Sequence, residues 1–153
     1  MRVLVVVVGK DLRDPLKQAA ESYLERTQQL LRPEFVYIKE SKRRENPLLA
    51  TEEEGKEILR TTEGCYRIAM DLGGKMHSST QFAQDLQKLL NEKYKPVAFM
   101  IGGATGLSKS VIDVADAKWS LSALTLPHRL AYLVLAEQIY RAGEILRGGP
   151  YHK

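Results

Sequence analysis

Apolar and polar positions follow two rhythms along this chain. Five short runs rich in apolar and β-branched residues, at 2–8, 34–39, 66–71, 97–103 and 119–124, read as strands; unbroken apolar stretches of this length suit a sheet buried on both faces. Between them, residues 14–31, 51–61, 79–94 and a short 109–117 carry the helical period, and a last helix begins at about residue 127. Asp14 before Pro15 suits an N-cap and a first helical position, and Ser79 or Thr80 suits the start of the third helix. Parallel neighbours need a crossover that is usually helical, so this alternation predicts an α/β domain built on a parallel sheet. No repeat, linker or low-complexity stretch divides residues 1–153, and a single domain is expected.

The last helix departs from the amphipathic pattern. Residues 131–146 are apolar almost all the way round, yet they include Glu137 and Arg141, four apart and therefore on one face, with the acid first as a helical pair prefers. Leu130, Leu133, Val134, Ile139 and Leu146 offer more apolar surface than one chain of this length needs to cover, which predicts a helix buried against a second copy.

Charge and composition narrow the partners. The net charge of +4 favours an anionic partner weakly, and its distribution favours one more. Lys39, Lys42, Arg43 and Arg44 crowd a stretch without apolar period, either a solvated loop or one that tracks phosphates. The single Cys65 excludes an internal disulfide and a multi-cysteine zinc site, and no stretch approaches the ~20 apolar residues of a membrane span, so a cytoplasmic protein is expected. His77, His128 and His152 lack metal-ligand spacing, and no metal is expected. His128 follows Pro127 at the entry to the last helix, where a capping or packing role competes with a chemical one.

The strand ends hold the candidate chemistry, because open parallel sheets bind ligands outside their carboxyl ends. The third strand ends at Asp71 and opens into Leu-Gly-Gly, the fourth into "IGGATGLSKS", and the fifth into "LTLPHR". Three small or glycine-containing turns at one edge would leave a hollow lined by backbone, to which glycine allows close approach. "GATGLSKS" is one residue away from a phosphate-binding loop, but Ser108 stands where the second glycine is required, which weakens a nucleotide-hydrolase reading that would use Lys109.

Taken in order, "FMIGGATGLS", "WSLSALTLPH", "AEQIYRA" and the terminal "PYHK" resemble the bacterial ribosomal large-subunit methyltransferase H family of the SPOUT class, over the chain from "VVVVGK" to its end. The resemblance implies a homodimer with a C-terminal trefoil knot that binds S-adenosylmethionine and methylates N(3) of a pseudouridine in 23S ribosomal RNA. It assigns cofactor binding to Met70, Asp71 and Leu72, to Gly102, Gly103 and Gly106, and to Ser122, Ala123, Leu124, Thr125, Leu126 and Pro127. It also implies that Arg141, oriented by Glu137, stabilises the developing anion, that His128 joins the catalytic set, and that Tyr151 and His152 pack near the pocket of the other subunit. Lys153 joins the basic loop as an RNA contact. One position departs from the family: many members carry arginine where this chain has Tyr132, and Arg129, close in sequence, is expected to point elsewhere. That departure keeps open a rival, an RNA-binding dimer of the same fold without transfer.

Overall fold

The computed structural model describes residues 2–9 and 13–151. Ten elements follow in strict alternation: β1 (Val3–Val8), α1 (Pro15–Glu25), β2 (Pro33–Ile38), α2 (Pro47–Thr61), β3 (Tyr66–Met76), α3 (Ser79–Lys93), β4 (Val97–Ile101), α4 (Lys109–Asp113), β5 (Ala117–Ser120) and α5 (His128–Leu146). The five strands form one sheet in the order β2-β1-β4-β3-β5, every pair parallel.

Both faces of the sheet are covered, as its continuous apolar strands require. In β1, Val3, Val5 and Val7 join Phe99, Ile68 and residues of α1, α3 and α5 on one face. Leu4, Val6 and Val8 alternate to the other face, against Ile58 of α2 and Val111 of α4. Asp14 caps α1 by accepting from the Leu16 N–H at 3.0 Å, and Ser78, not Ser79 or Thr80, closes a capping box with Gln81 at the start of α3.

Several boundaries differ from the sequence expectation; among them, α4 ends at Asp113 rather than residue 117 and β4 at Ile101 rather than 103. Helix α1 ends at Glu25, and residues 27–31 run as turns that still bury Leu31 in the core. Helix α2 begins at Pro47 rather than residue 51, with Asn46 accepting from the Leu49 N–H. Strand β5 stops at Ser120, leaving residues 121–127 outside regular structure. Strand β3 does not turn at Gly73-Gly74 but continues to Met76: its register on β5 jumps between Met70 and Lys75, so residues 71–74 bulge from the ladder. A Cβ on Gly74 would lie 2.7 Å from the Trp119 backbone, so only glycine lets the two strands close again.

Candidate functional site

The carboxyl edge of the sheet carries two neighbouring cavities, one on each side of the first turn of α5. The first, about 100 Å³, lies at the ends of β3 and β5 and is walled by Met70, Asp71 and Leu72 of the bulge and by Ser120, Ser122 and Leu126 after β5. Leu72 and Leu124 stand at it 56% and 72% exposed, large apolar side chains held in water beside a hollow. The bulge is braced from within by the Gly73 N–H, which donates to Asp71 Oδ2 at 3.0 Å. Ala131 of α5 closes this side.

The second cavity, about 230 Å³, opens between the ends of β1 and β4. Val8 and Gly9 approach from one strand, Gly103 and Ala104 from the other, and His128, Arg129 and Tyr132 from α5. The glycine turn between the cavities is tight. Gly106 donates its N–H to the Gly103 carbonyl at 3.0 Å, and a Cβ on Gly102 would collide with the Gly106 carbonyl group. Gly103 is roomier, its nearest neighbour being Val8 at 3.4 Å.

The twelve positions expected to bind cofactor therefore divide. Met70, Asp71, Leu72, Ser122, Leu124 and Leu126 line the first cavity; Gly103 lines the second; Ala123, Thr125 and Pro127 lie exposed in the connection between β5 and α5; Gly102 and Gly106 shape the turn. The single expected hollow is two hollows, one at the ends of β3 and β5 and one at the ends of β1 and β4.

Tyr132 and Arg129 correct the expectation that they point apart. The Tyr132 hydroxyl donates to Asp14 Oδ2 at 2.9 Å, and Arg129 Nε lies 3.5 Å from the same oxygen. Residues three apart share a helix face. A guanidinium thus reaches this cavity although tyrosine occupies the departing position. His128 is half-buried beside them; burial and the Arg129 charge hold its pKa below the ordinary value, against the opposing pull of Glu40, Asp14 and Glu54.

Sequence reasoning missed Lys17 and Glu40, which line the same cavity. Lys17 is 4% exposed, its ammonium 3.1 Å from Glu21 and over the Tyr37 ring at 4.8 Å. Its signal was readable: Lys17, Ala20 and Leu24 form one helical stripe, and a lysine on a buried stripe is unusual.

The Glu137–Arg141 pair exists, with Arg141 Nε donating to Glu137 Oε1 at 3.0 Å. Their side chains are 18% and 23% exposed. Gln138 donates to the other Glu137 oxygen at 2.6 Å, and the Tyr151 hydroxyl reaches Oε1 at 3.2 Å. The Arg141 guanidinium also lies over the Tyr151 ring, 4.8 Å from its centroid. Tyr151 therefore packs on Arg141 of its own chain, and burial with a hydrogen bond to Tyr23 raises its phenol to about 12. Arg141 lines neither cavity of the same chain; it lies nine residues beyond Tyr132 and ten beyond Ala131, roughly 13–15 Å along the helix axis. His152 and Lys153 lie outside the described residues.

The basic loop sits at the same sheet edge, after β2. Lys39, Lys42, Arg43 and Arg44 are all exposed; Arg43 pairs with Glu53, and the Ser41 N–H donates to Glu54 at 3.0 Å, which fixes the loop on α2. The phosphate-loop reading fails on geometry. Ser108 is buried and uses its hydroxyl to cap α4, while Lys109 pairs with Asp113 four residues on. Among the described residues no group of His, Cys, Asp and Glu is placed to hold a metal, and no helix is long and apolar enough to cross a membrane. A surface groove of about 1010 Å³ opens at the opposite, amino edge beside Arg2, Arg32, Tyr94 and Lys95, and none of the expected site residues lines it.

Comparison with known proteins matches residues 1–152 to the family described as "Predicted SPOUT methyltransferase". Ribosomal RNA large subunit methyltransferase H of Alkaliphilus oremlandii is 40% identical over 159 residues, covering 100% of both chains. The protein of that name from Sorangium cellulosum is 41% identical over 152 residues, covering 99% of each. Among solved structures, a probable methyltransferase from Bordetella pertussis superposes with a TM-score of 0.56 at 12% identity, over 92% of this chain and 95% of that one. TrmJ from Z. mobilis gives 0.54 at 14% identity, over 91% and 69%. Likeness at such identities is likeness of fold.

Proposed function

Because the chain belongs to the ribosomal RNA large subunit methyltransferase H family of SPOUT methyltransferases, we propose that it transfers a methyl group from S-adenosylmethionine to N(3) of a pseudouridine in 23S ribosomal RNA, acting in the cytoplasm as a homodimer. The observation that carries this reading is the coincidence of Leu72 and Leu124, exposed and apolar, with the hollow at the ends of β3 and β5. A ring-sized apolar group placed between them would cover both, as adenine does in a site read mainly through backbone. The residues fit the cofactor in kind as well. Met70, Leu72, Leu121 and Leu126 supply apolar walls, and Asp71 and Ser122 supply polar groups at the rim.

Bound there, the cofactor supplies an electrophilic methyl group on a sulfonium, so the protein's own task is alignment and charge. The bulge at residues 71–74 and the connection at 121–127 position the donor, and holding both reactants in one site converts their encounter into an effectively unimolecular event. Deprotonating an imide leaves negative charge on the base, which a fixed cation offsets. Arg141 suits that role because Glu137, itself held by Gln138, fixes its guanidinium. Arg141 lines neither cavity of its own chain, which supports a reading in which this arm serves the site of a second copy. The dimer is thus part of the proposal, as is the C-terminal knot that the resemblance implies. Leu130, Val134, Glu137 and Arg141 follow the helical repeat along one partly exposed face of α5, whereas Ile139, expected at the dimer interface, is fully buried in its own subunit.

Calorimetric titration with S-adenosylmethionine tests the reading. The unmodified protein should bind it, and Leu72→Asp or Leu124→Asp should weaken binding while the circular-dichroism spectrum stays unchanged. Equal affinity in all three proteins would remove the hollow from the account.

A further inference from the structure

The cavity between β1 and β4 is distinct from the hollow assigned to the cofactor, and the topology marks it independently. From β1 the chain moves outward to β2, whereas from β4 it crosses β3 to reach β5, so the connections leave two adjacent strands in opposite directions. The helices that follow them lie on opposite faces, α1 with one core cluster and α4 with the other. That is a topological switch point, the place in an open α/β sheet where a crevice opens for a ligand. Here the crevice is lined by Asp14, Lys17, Glu40, His128, Arg129 and Tyr132. Lys17 and Asp14 are 4% and 6% exposed, and charged side chains are kept this deep only when partners or a function hold them there.

From these observations we infer that the cavity between β1 and β4 receives the target base, a pyrimidine imide turned out of its helix, with His128 reading the imide N–H. The inference rests on the methyl-transfer reading above. An enzyme acting on a base inside a folded RNA takes that base out of the stack and reads its hydrogen-bonding edge in a pocket. An imide edge presents acceptor, donor, acceptor. His128, with its pKa held low, supplies a neutral ring nitrogen for the central N–H. Arg129 and Lys17 supply donors for the flanking carbonyls: the guanidinium has five N–H groups and lies 3.5 Å from Asp14, and the ammonium has three and contacts Glu21. Leu126 lines the cofactor hollow and His128, two residues on, lines this cavity, so the two lie beside one another at the start of α5. The basic loop beginning at Lys39 adjoins the cavity through Glu40 and offers its charges to the flanking phosphates.

The test compares the unmodified protein with His128→Leu, His128→Gln and Ala104→Phe, the last filling the cavity from its exposed rim. Each is assayed for S-adenosylmethionine affinity by calorimetry and for single-turnover methylation of ribosomes that lack the modification. Expected is unchanged cofactor affinity in all four, a loss in rate of about 10²-fold or more for His128→Leu and Ala104→Phe, and partial rescue in His128→Gln, which keeps an acceptor. Rescue by an acceptor is what a merely structural histidine would not show. Rates within about threefold of the unmodified protein in both damaged variants would overturn the inference and leave the methyl-transfer reading standing, since a loss of one contact to a transition state is expected to cost more. Loss of cofactor affinity in those variants would assign the cavity to the cofactor and overturn it equally. An unmodified protein that binds no S-adenosylmethionine would overturn the methyl-transfer reading itself, and this inference with it.

Discussion

Tyr132 donates its hydroxyl hydrogen to Asp14 Oδ2 at 2.9 Å, joining the start of α1 to the first turn of α5 across 118 positions of sequence. Asp14 also caps α1, so one buried carboxylate fixes a helix end and the wall of a cavity together. Removing the hydroxyl leaves Asp14, 6% exposed, short of a partner. Tyr132→Phe should lower unfolding stability by about 1.5–3 kcal/mol, the range for a hydrogen bond to a charged group. Urea denaturation with an unchanged m-value checks this; an equally stable variant would show that water or Arg129 replaces the bond.

The glycines after β4 should respond differently although adjacent. A methyl group on Gly102 would run into the Gly106 backbone, and backbone cannot swing aside, so Gly102→Ala should lower Tm by several degrees. Gly103 has only ordinary contacts at that position, so Gly103→Ala should keep its Tm, while Gly103→Val, which intrudes on the second cavity, should lose single-turnover rate with its cofactor affinity and spectrum intact. Calorimetry and single-turnover rates on the three variants separate the outcomes. A Tm loss in Gly103→Ala as large as in Gly102→Ala would contradict the assignment.

How far these relationships were legible in the sequence depends on their range. The five strands and five helices announce themselves through local period, and Asp14-Pro15 marks a helix start with its cap. Asn46-Pro47 carried the same signal for α2. Period misleads where apolar spacing persists without a helix, as at residues 27–31, where Leu31 is buried from a turn. Gly73-Gly74 looks like a turn in sequence; only the backbone of Trp119 pressed against Gly74 shows why glycine is there. The first cavity was legible because its residues, Ala131 apart, lie in two short stretches, 70–72 and 120–126. The second was not, since no local pattern joins Asp14 and Lys17 to residues more than a hundred positions away.

His77 gives the fold a pH dependence. Its side chain is buried against Trp119 and Phe82, Nε2 lies 3.1 Å from Asp85, and Nδ1 has no partner. Burial, with Lys75 nearby, lowers its pKa below 6.5, outweighing the pull of Asp85. The unfolded chain therefore binds this proton first, and stability should fall as pH drops through 6.5 toward the folded value. Asp85, lowered by its bond to Lys75, titrates in a separate and more acidic window, below 3.8. Denaturation between pH 7.5 and 5 should show the decline in the unmodified protein and a flatter profile in His77→Phe. Parallel profiles would place the proton elsewhere.

Arg141 and Tyr151 touch within one chain, and this constrains subunit mixing. If the arm of each subunit serves the cavity of the other, Arg141→Ala should cost about 10²-fold or more in single-turnover rate with cofactor affinity intact, comparable to losing one oxyanion donor. Heterodimers of an Arg141→Ala chain with a Leu124→Asp chain should regain one working site. Those of an Arg141→Ala chain with a chain lacking residues 151–153 should regain none, because each site then has a damaged arm. Recovery in the second pairing would separate Arg141 from the tail.

The most direct measurement is transfer itself. Purified protein, S-adenosylmethionine labelled in its methyl group, and ribosomes from cells lacking this gene are combined, and the 23S RNA is digested and read by mass spectrometry. The account predicts one added methyl group, on N(3) of a single pseudouridine, absent when Arg141→Ala replaces the unmodified protein at the same time point. No labelled nucleotide in 23S RNA, with cofactor demonstrably bound, would contradict it.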